Sequence, residues 1–440
     1  MFPAKNGRAM FQIESEVSMD DSEKSGFVFT SQSGYQIHGC GGQPARSFLK
    51  GPNDPKNRVH YDPQFNSYLE RLTALMASTQ TSDAPSSEAS AFDSLSLELF
   101  RLQFTHNPAY QSFCRHRGIQ RAEDVSHVLD VPAIPTTAYK QSRLSCLPLE
   151  SVTREFHSSG TTDHTPSRHA HSPRSLALYE NSLLLSFEQG LISQPPQQDQ
   201  FIVSLTPSAH IAPHSSLAHM CQVVCDRWGN TDSRCLGTID AMGAWSVDIP
   251  RVIESAQLAI ASDRPLGILG TAFNWVHLLD SCAARHIHLT LPEGSWAMET
   301  GGYKGRSRIL SKFELHQALS ERLGIRAERI VCEYGMSELS SQAYDGALIP
   351  EASEGVVPTK RRCFRFPPWA RSRIVSPENG DEVADGAVGI IQVFDLANAF
   401  SVLAVQTEDL GRRCGDGFEL IGRIADAEAR GCSLLAKAIP

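Results

Sequence analysis

The chain has no run of 18 or more apolar residues, so hydropathy excludes a membrane-spanning helix. It has no basic excess. The net charge is −9 and the pI about 6.0, which leaves no positive field for general nucleic-acid binding. The opening segment MFPAKNGRAMFQIESEVSMDD soon turns acidic and lacks the apolar core of a secretory signal, so a cytoplasmic location is expected. The spaced glycines and Gly-Lys-Ser/Thr of the common nucleotide-binding loop are missing, and no internal repeat is present. Eleven cysteines occur, an odd number at irregular spacing in a chain of 440 residues. That argues for reduced thiols rather than a disulfide framework. Only Cys221 and Cys225 are close, and no second pair stands at ligand spacing. Two apolar-environment cysteines on one helix are expected there, not a zinc site.

What is present divides into textures. Residues 1–90 are rich in Gly, Ser, Asp and Lys with weak periodicity, and are expected to be an extension that is partly flexible. From FDSLSLELFRLQFTHN a helix is expected, with Asp93 or Ser94 as N-cap. Residues 91–365 then alternate strand and helix signals. FIVSLT, RPLGILG, IHLTL and RIVCEYG read as strands. SSLAHMCQVVCDRW, TAFNWVHLLDSCAARH and FELHQALSERLG read as helices. Short strands alternating with such helices predict an α/β fold of parallel βαβ units. Residues 366–425 are β-rich, with Asn-Gly and Asp-Gly turns, and residues 426–440 form a short tail.

Four stretches carry chemistry. FHSSGTTDHTPSRH offers backbone N–H groups and hydroxyls around Gly160, between an extended segment and a long helix. Such a turn suits phosphate oxygens, and equally suits a polar surface. In EYGMSELSSQAYD a strand ends at Tyr334, Gly335 permits a tight turn, and Ser337 and Glu338 project from it. A hydroxyl beside a carboxylate suits a phosphate and a magnesium ion, although an ordinary turn has the same look. VQTEDLG brings Thr407, Glu408 and Asp409 into a turn where a carboxylate could accept two ribose hydroxyls. In DGFELIGRIAD, Gly422 and Arg423 follow a strand.

Taken in order, these four resemble the signature set of acyl-adenylate-forming enzymes, over roughly residues 90 to 440. DGAVGIIQV is similar to a strand motif that precedes the ribose-binding aspartate there. PAIPTTAYK, APHSSLAHM, ETGGYKGRSR, YGMSELSSQAYD, PPWARSRI, FDLANAFSVLAVQTEDLG and the ending ARGCSL look like one branch, the acyl-protein synthetase (LuxE-type) family. The resemblance implies the fold of the large domain of adenylate-forming enzymes, with ATP and Mg2+ as cofactors. It implies that a carboxylic acid, of fatty-acid type, becomes an acyl-AMP with release of pyrophosphate. The acyl group then passes to the thiolate of Cys432 and on to a partner protein such as a reductase. It places Ser158, Ser159, Gly160, Thr161, Thr162 and Arg168 around the pyrophosphate. Tyr334 and Gly335 fall by the adenine, Ser337 on phosphate, Glu338 on magnesium, Asp409 on the ribose and Arg423 beside the nucleotide. Arg430 would lower the Cys432 pKa. His214 borders the acyl site or is a hydrogen-bonded core histidine. Phe273, Trp275 and Leu278 line a pocket or are core at helical spacing.

Two departures matter. Asp163 stands where the superfamily has glycine, and the lysine after the loop proline is missing, so either Arg168 replaces that lysine or the loop is impaired. Only seventeen residues follow Arg423 (440 − 423), too few for the lobe that supplies a catalytic lysine in acid–CoA ligases. Lys304 in GGYKGR is then the substitute cation, ahead of Lys437. The alternatives are an acyl-CoA ligase or bare adenylating enzyme, and a non-catalytic acyl- or nucleotide-binding protein.

Overall fold

The computed structural model describes residues 63–78, 85–158, 165–191, 200–241, 243–302, 308–346 and 362–424. The chain opens with α1 (Pro63–Ser78), α2 (Pro85–His106), α3 (Pro108–His116), the two-residue β1 (Ile134–Pro135) and α4 (Ala138–Gln141). A hairpin of β2 (Arg154–His157) and β3 (Arg168–His171) leads into α5 (Pro173–Leu191). The middle holds β4 (Phe201–Ser204), α6 (Ser216–Trp228), β5 (Arg234–Cys235), β6 (Gly237–Ile239), β7 (Trp245–Val247) and α7 (Ile249–Ala261). It continues through β8 (Leu266–Thr271), α8 (Ala272–Ala284), β9 (Trp296–Thr300), α9 (Lys312–Leu323), β10 (Ile330–Tyr334) and β11 (Ala343–Tyr344). The last strands are β12 (Ala370–Val375), β13 (Val388–Asp395), β14 (Ala404–Cys414) and β15 (Gly417–Arg423). No helix among the described residues is long and apolar enough to cross a membrane.

The α/β expectation holds for the middle of the chain. A six-stranded sheet runs β11-β10-β9-β8-β4-β5, and every pair except β10–β11 is parallel. Alternation along each strand divides its side chains between two cores. Phe201, Val203, Ile268, Ala297 and Ile330 face the side where Val252, Trp275 and Leu319 pack. Ile202, Leu269, Met298 and Val331 face Leu183, Phe187, Cys221 and Val224 of α5 and α6. Trp275 and Leu278 are therefore core, and Cys221 and Cys225 are buried one turn apart on α6. IHLTL is a correction. Residues 287–291 form no strand, because the amides of Leu289 and Leu291 bond to the carbonyls of Arg322 and Leu323 at the end of α9. The strand lies just beyond, as β9.

The C-terminal sheet runs β1-β14-β13-β12, with β15 paired to β14. Its core is shared with the N-terminal helices. This corrects the reading of residues 1–90 wherever they are described. Tyr68, Leu69, Leu72 and Met76 of α1 are fully buried, and α2 starts at Pro85 rather than near Asp93. The helices are tied to the turn after β13. Tyr68 donates to the Leu396 carbonyl at 2.8 Å, and Phe65 stacks on Phe400 at 5.0 Å. The Gln103 amide donates to the Asn398 carbonyl at 2.9 Å and accepts from Leu403 N at 2.7 Å. Composition could not show this, because the apolar residues of α1 are read as a helix face only once their partner is known. The expectation of reduced thiols also needs correction at one pair. Pairing of Phe364 with Phe418 brings Cys363 to Cys414, and the two form a disulfide with Cα atoms 6.4 Å apart.

Close packing between strands gives a test. A Cβ on Gly267 would lie 2.3 Å from the Trp296 ring. Gly267→Ala is expected to destabilise the protein by about 1–3 kcal/mol, read as a lower urea midpoint.

Candidate active site

Strand β10 carries the centre of the site because successive side chains point to opposite faces. Tyr334 turns toward the C-terminal sheet and donates its hydroxyl to Asp409 Oδ2 at 2.9 Å. Arg423 Nε lies 3.4 Å from Asp409 Oδ1, since β14 and β15 pair these two residues directly. Burial raises the Asp409 pKa, and the Arg423 charge and the Tyr334 hydroxyl oppose that rise. Three motifs far apart in sequence thus meet at one carboxylate. Thr407 shapes the approach, donating to the Ile391 carbonyl at 2.9 Å and accepting from Asp409 N at 3.1 Å. Sequence reasoning missed the wall around Tyr334. Phe418, Phe364 and Phe366 surround its ring at 5.1, 5.8 and 6.4 Å.

Beyond Gly335 the chain carries Ser337 and Glu338, both buried. Gly335 does not take a left-handed backbone; a Cβ there would stand 2.3 Å from Glu333 Oε1, so that carboxyl would have to shift. Glu338 accepts the hydroxyl of Ser337 at 3.0 Å and that of Ser167 in a short contact. It forms no ion pair among the described residues, so its charge is available to a bound cation. His169 Nδ1 donates to the Ser337 carbonyl at 2.8 Å, and burial pushes the His169 imidazole down to about 4, so the ring stays neutral.

Ser158, just after β2, is tied to Ser167, just before β3. The Ser158 amide donates to the Ser167 carbonyl at 3.1 Å, and its hydroxyl accepts from Ser167 N at 3.0 Å. Arg168, exposed, opens β3. Ser159, Gly160, Thr161, Thr162 and Asp163 lie outside the described residues, as do Lys304, Arg430, Cys432 and Lys437. His214 is not in the core. It is exposed, hydrogen-bonds through Nδ1 to the Glu155 carbonyl at 2.9 Å and stacks on His157 at 4.3 Å. It braces β2 just before the turn.

A buried tie fixes the loop beyond Glu338. Asp395 Oδ2 accepts Ser340 N and Ser341 N, both at 2.8 Å. Its Oδ1 accepts the Ser341 hydroxyl at 2.7 Å and Ala397 N at 3.0 Å. Asn398 Nδ2 donates to the Glu338 carbonyl at 2.8 Å. Complete burial still pushes Asp395 up to about 6, against these bonds. The sequence contained the clue in FDLANAF, where two polar residues interrupt an apolar run, but no sequence rule names their partners.

At the end of parallel strand β10 a tyrosine, an aspartate and an arginine are joined beside a buried serine and glutamate, on the fold of adenylate-forming ligases. A family model for acyl-protein synthetase, LuxE, matches residues 77–439, and the chain belongs to that family of ATP-dependent acid–thiol ligases. It is similar to the long-chain-fatty-acid–luciferin-component ligase of Vibrio harveyi, 22% identical over 346 residues, covering 76% of this chain and 84% of that protein. The Aliivibrio fischeri protein of the same name is 19% identical over 355 residues, covering 78% and 86%. Among solved structures, 2-hydroxyisobutyryl-CoA ligase in complex with 2-HIB-AMP and CoA shares the fold. Its TM-score is 0.55 at 14% identity, over 77% of this chain and 69% of that one.

On the other face of β10, Glu333 is buried and accepts the Thr300 hydroxyl. Burial pushes its carboxyl up from 4.5 to about 7; the Thr300 bond opposes this and the Glu299 charge adds to it. The folded state therefore holds a proton that the unfolded state releases between pH 4.5 and about 7. The stability that Glu333 contributes is complete below the unfolded pKa and is lost as pH rises through the folded one. Glu333→Gln keeps an acceptor for Thr300 without the charge. Thermal melts should show the variant gaining on the wild type between pH 5 and 8, by on the order of 3 kcal/mol.

Proposed function

We propose that this protein activates a carboxylic acid as its acyl-adenylate and then captures the acyl group on Cys432. The observation that carries the reading is the meeting of Tyr334, Asp409 and Arg423 on one side of the β10 terminus, with Ser337 and Glu338 just beyond it. Asp409 is suited to accept the ribose hydroxyls, with Tyr334 and Arg423 holding its carboxylate in place. Ser158, Ser159, Gly160, Thr161 and Thr162 give the polyphosphate amide and hydroxyl donors, and Arg168 gives a nearby positive charge. Glu338 would hold a Mg2+ ion, whose charge would neutralise phosphate charge.

In the first step a substrate carboxylate oxygen attacks the α-phosphorus of ATP, and pyrophosphate leaves with the electron pair of the broken P–O bond. Lys304 is the candidate cation for the charge that develops there. In the second step the Cys432 thiolate attacks the acyl carbon and AMP departs as the leaving group. Adenylation makes this possible, since a free carboxylate has no comparable leaving group. The thioester would then pass to a partner protein such as a reductase. The names of the relatives suggest a fatty acid as substrate.

Intact-protein mass after incubation with ATP, Mg2+ and a panel of carboxylic acids tests the reading. An acyl-sized gain labile to hydroxylamine is expected in the wild type and absent in Cys432→Ala. Pyrophosphate release without any mass gain would overturn capture by the protein itself. Asp409→Ala should weaken ATP binding by about 10- to 100-fold in calorimetry, the worth of hydrogen bonds to a charged group.

A further inference from the structure

The Cys363–Cys414 disulfide joins two elements that both serve the site described above. Cys414 ends β14, and its pairing with Gly417 closes the hairpin onto β15. That hairpin carries Asp409, Phe418 and Arg423. Cys363 precedes Phe364 and Phe366 in the segment before β12. The bond therefore stitches one half of the wall around Tyr334 to the other. The other ties across this seam are noncovalent. Phe364 N donates to the Phe418 carbonyl at 2.7 Å, and Phe418 N to the Phe364 carbonyl at 3.0 Å. Their rings stack at 5.4 Å, and Arg365 Nε meets Asp416 Oδ1 at 3.0 Å on the surface.

Packing makes the seam sensitive to the state of the sulfur atoms. Cys363 is buried, and a Cβ on Gly417 would lie 2.3 Å from the Phe364 carbonyl oxygen, so the two backbones are in close contact. Reduction replaces one covalent bond with two thiols that must stand at van der Waals separation. In a close-packed interior the added distance is taken up by displacing neighbours, and Phe364 follows Cys363 directly in the chain. Cys414 offers the way in, because it is half-buried and is followed by the exposed Gly415 and Asp416. The other described cysteines, from Cys114 to Cys332, are all free. One disulfide among free thiols is the pattern of an exchanging pair rather than of a framework.

We infer that Cys363–Cys414 is a redox latch on the aromatic wall. Closed, it holds Phe364, Phe366 and Phe418 around Tyr334 and tightens nucleotide binding; opened, it relaxes them. Opening is exchange with a low-molecular-weight thiol of the glutathione class. The incoming thiolate bonds to Cys414 Sγ, and Cys363 leaves with the electron pair of the S–S bond and takes up a proton. A second thiolate attacks the glutathione sulfur of the mixed disulfide, releasing Cys414 and glutathione disulfide. Two electrons thus pass to the protein, and closure is the reverse. The inference rests on the ligase reading and adds control of its nucleotide site.

The test equilibrates the full chain in reduced or in oxidised glutathione, then alkylates its thiols in denaturant and maps the labels by peptide mass. Cys363 and Cys414 should be labelled after the first treatment and protected after the second. Amide hydrogen exchange at Phe364 and Phe418 should be faster in the reduced form. Calorimetry with ATP and Mg2+, without an acid substrate, should show the reduced form binding ATP about 3- to 10-fold more weakly, the worth of one aromatic contact. The double variant Cys363→Ser, Cys414→Ser should match the reduced wild type and ignore glutathione. The comparison of the two wild-type forms stands whether or not that variant folds. A pair that stays bonded in reduced glutathione, equal ATP affinity in the two forms, or unchanged exchange at Phe364 and Phe418 overturns the inference and leaves the ligase reading standing. If neither form binds ATP the ligase reading falls, and exchange alone then decides for or against the latch.

Discussion

The buried carboxylate of Asp395 is the interaction on which the site's architecture depends. It stands at the end of β13, where the C-terminal sheet meets the loop beyond Glu338, and it accepts four hydrogen bonds. Two come from consecutive backbone amides, so the loop's path is held by its main chain as well as by a side chain. The turn that begins at Asp395 also receives the N-terminal helices through Tyr68, Gln103 and Asn107. One turn therefore joins the N-terminal helices, the C-terminal sheet and the loop that carries Glu338. A buried charge is costly unless fully bonded, and this degree of satisfaction lets it persist where no cation among the described residues pairs with it.

The fold was legible wherever hydrophobic period and strand length agreed. FIVSLT, RIVCEYG and the helices α6, α8 and α9 follow from local pattern and capping. The Ser311–Glu314 capping box and the left-handed Gly324 fix both ends of α9. IHLTL was misread because a short apolar run satisfies strand and buried coil equally, and tertiary bonding to the end of α9 decided the matter. Helix α1 was missed for a related reason. Its neighbours in sequence are polar, and its buried face packs partly on α2 and partly on residues more than three hundred positions away.

The site was legible as motifs but not as contacts. Tyr334, Asp409 and Arg423 were each singled out locally, and the structure joins them through one carboxylate. Ser167 and the phenylalanines around Tyr334 gave no local signal, because their roles are to position others. His169, the last residue of FHSSGTTDHTPSRH, reads from the sequence as a nearby positive charge, but burial keeps its imidazole neutral, and that ring donates to the backbone beside Glu338. His214 looked like an acyl-site residue because its motif resembles one. The structure shows it exposed, stacked on His157 and bonded to the Glu155 carbonyl of β2 rather than in the core.

Strand β10 shows how a period of two divides chemistry within five residues. Tyr334 belongs to the side that meets Asp409, and Glu333 to the side shared with Tyr344 and Thr300. A one-residue slip would exchange the two and place a carboxylate where the aromatic wall now stands. Register is held on both flanks, by four parallel pairs to β9 and two antiparallel pairs to β11. Gly335 then lets the Glu333 carboxyl sit where any other residue's Cβ would be. Strand β10 thus separates the Tyr334–Asp409 pair from the buried Glu333–Thr300 pair, so register rather than composition decides which group each face carries.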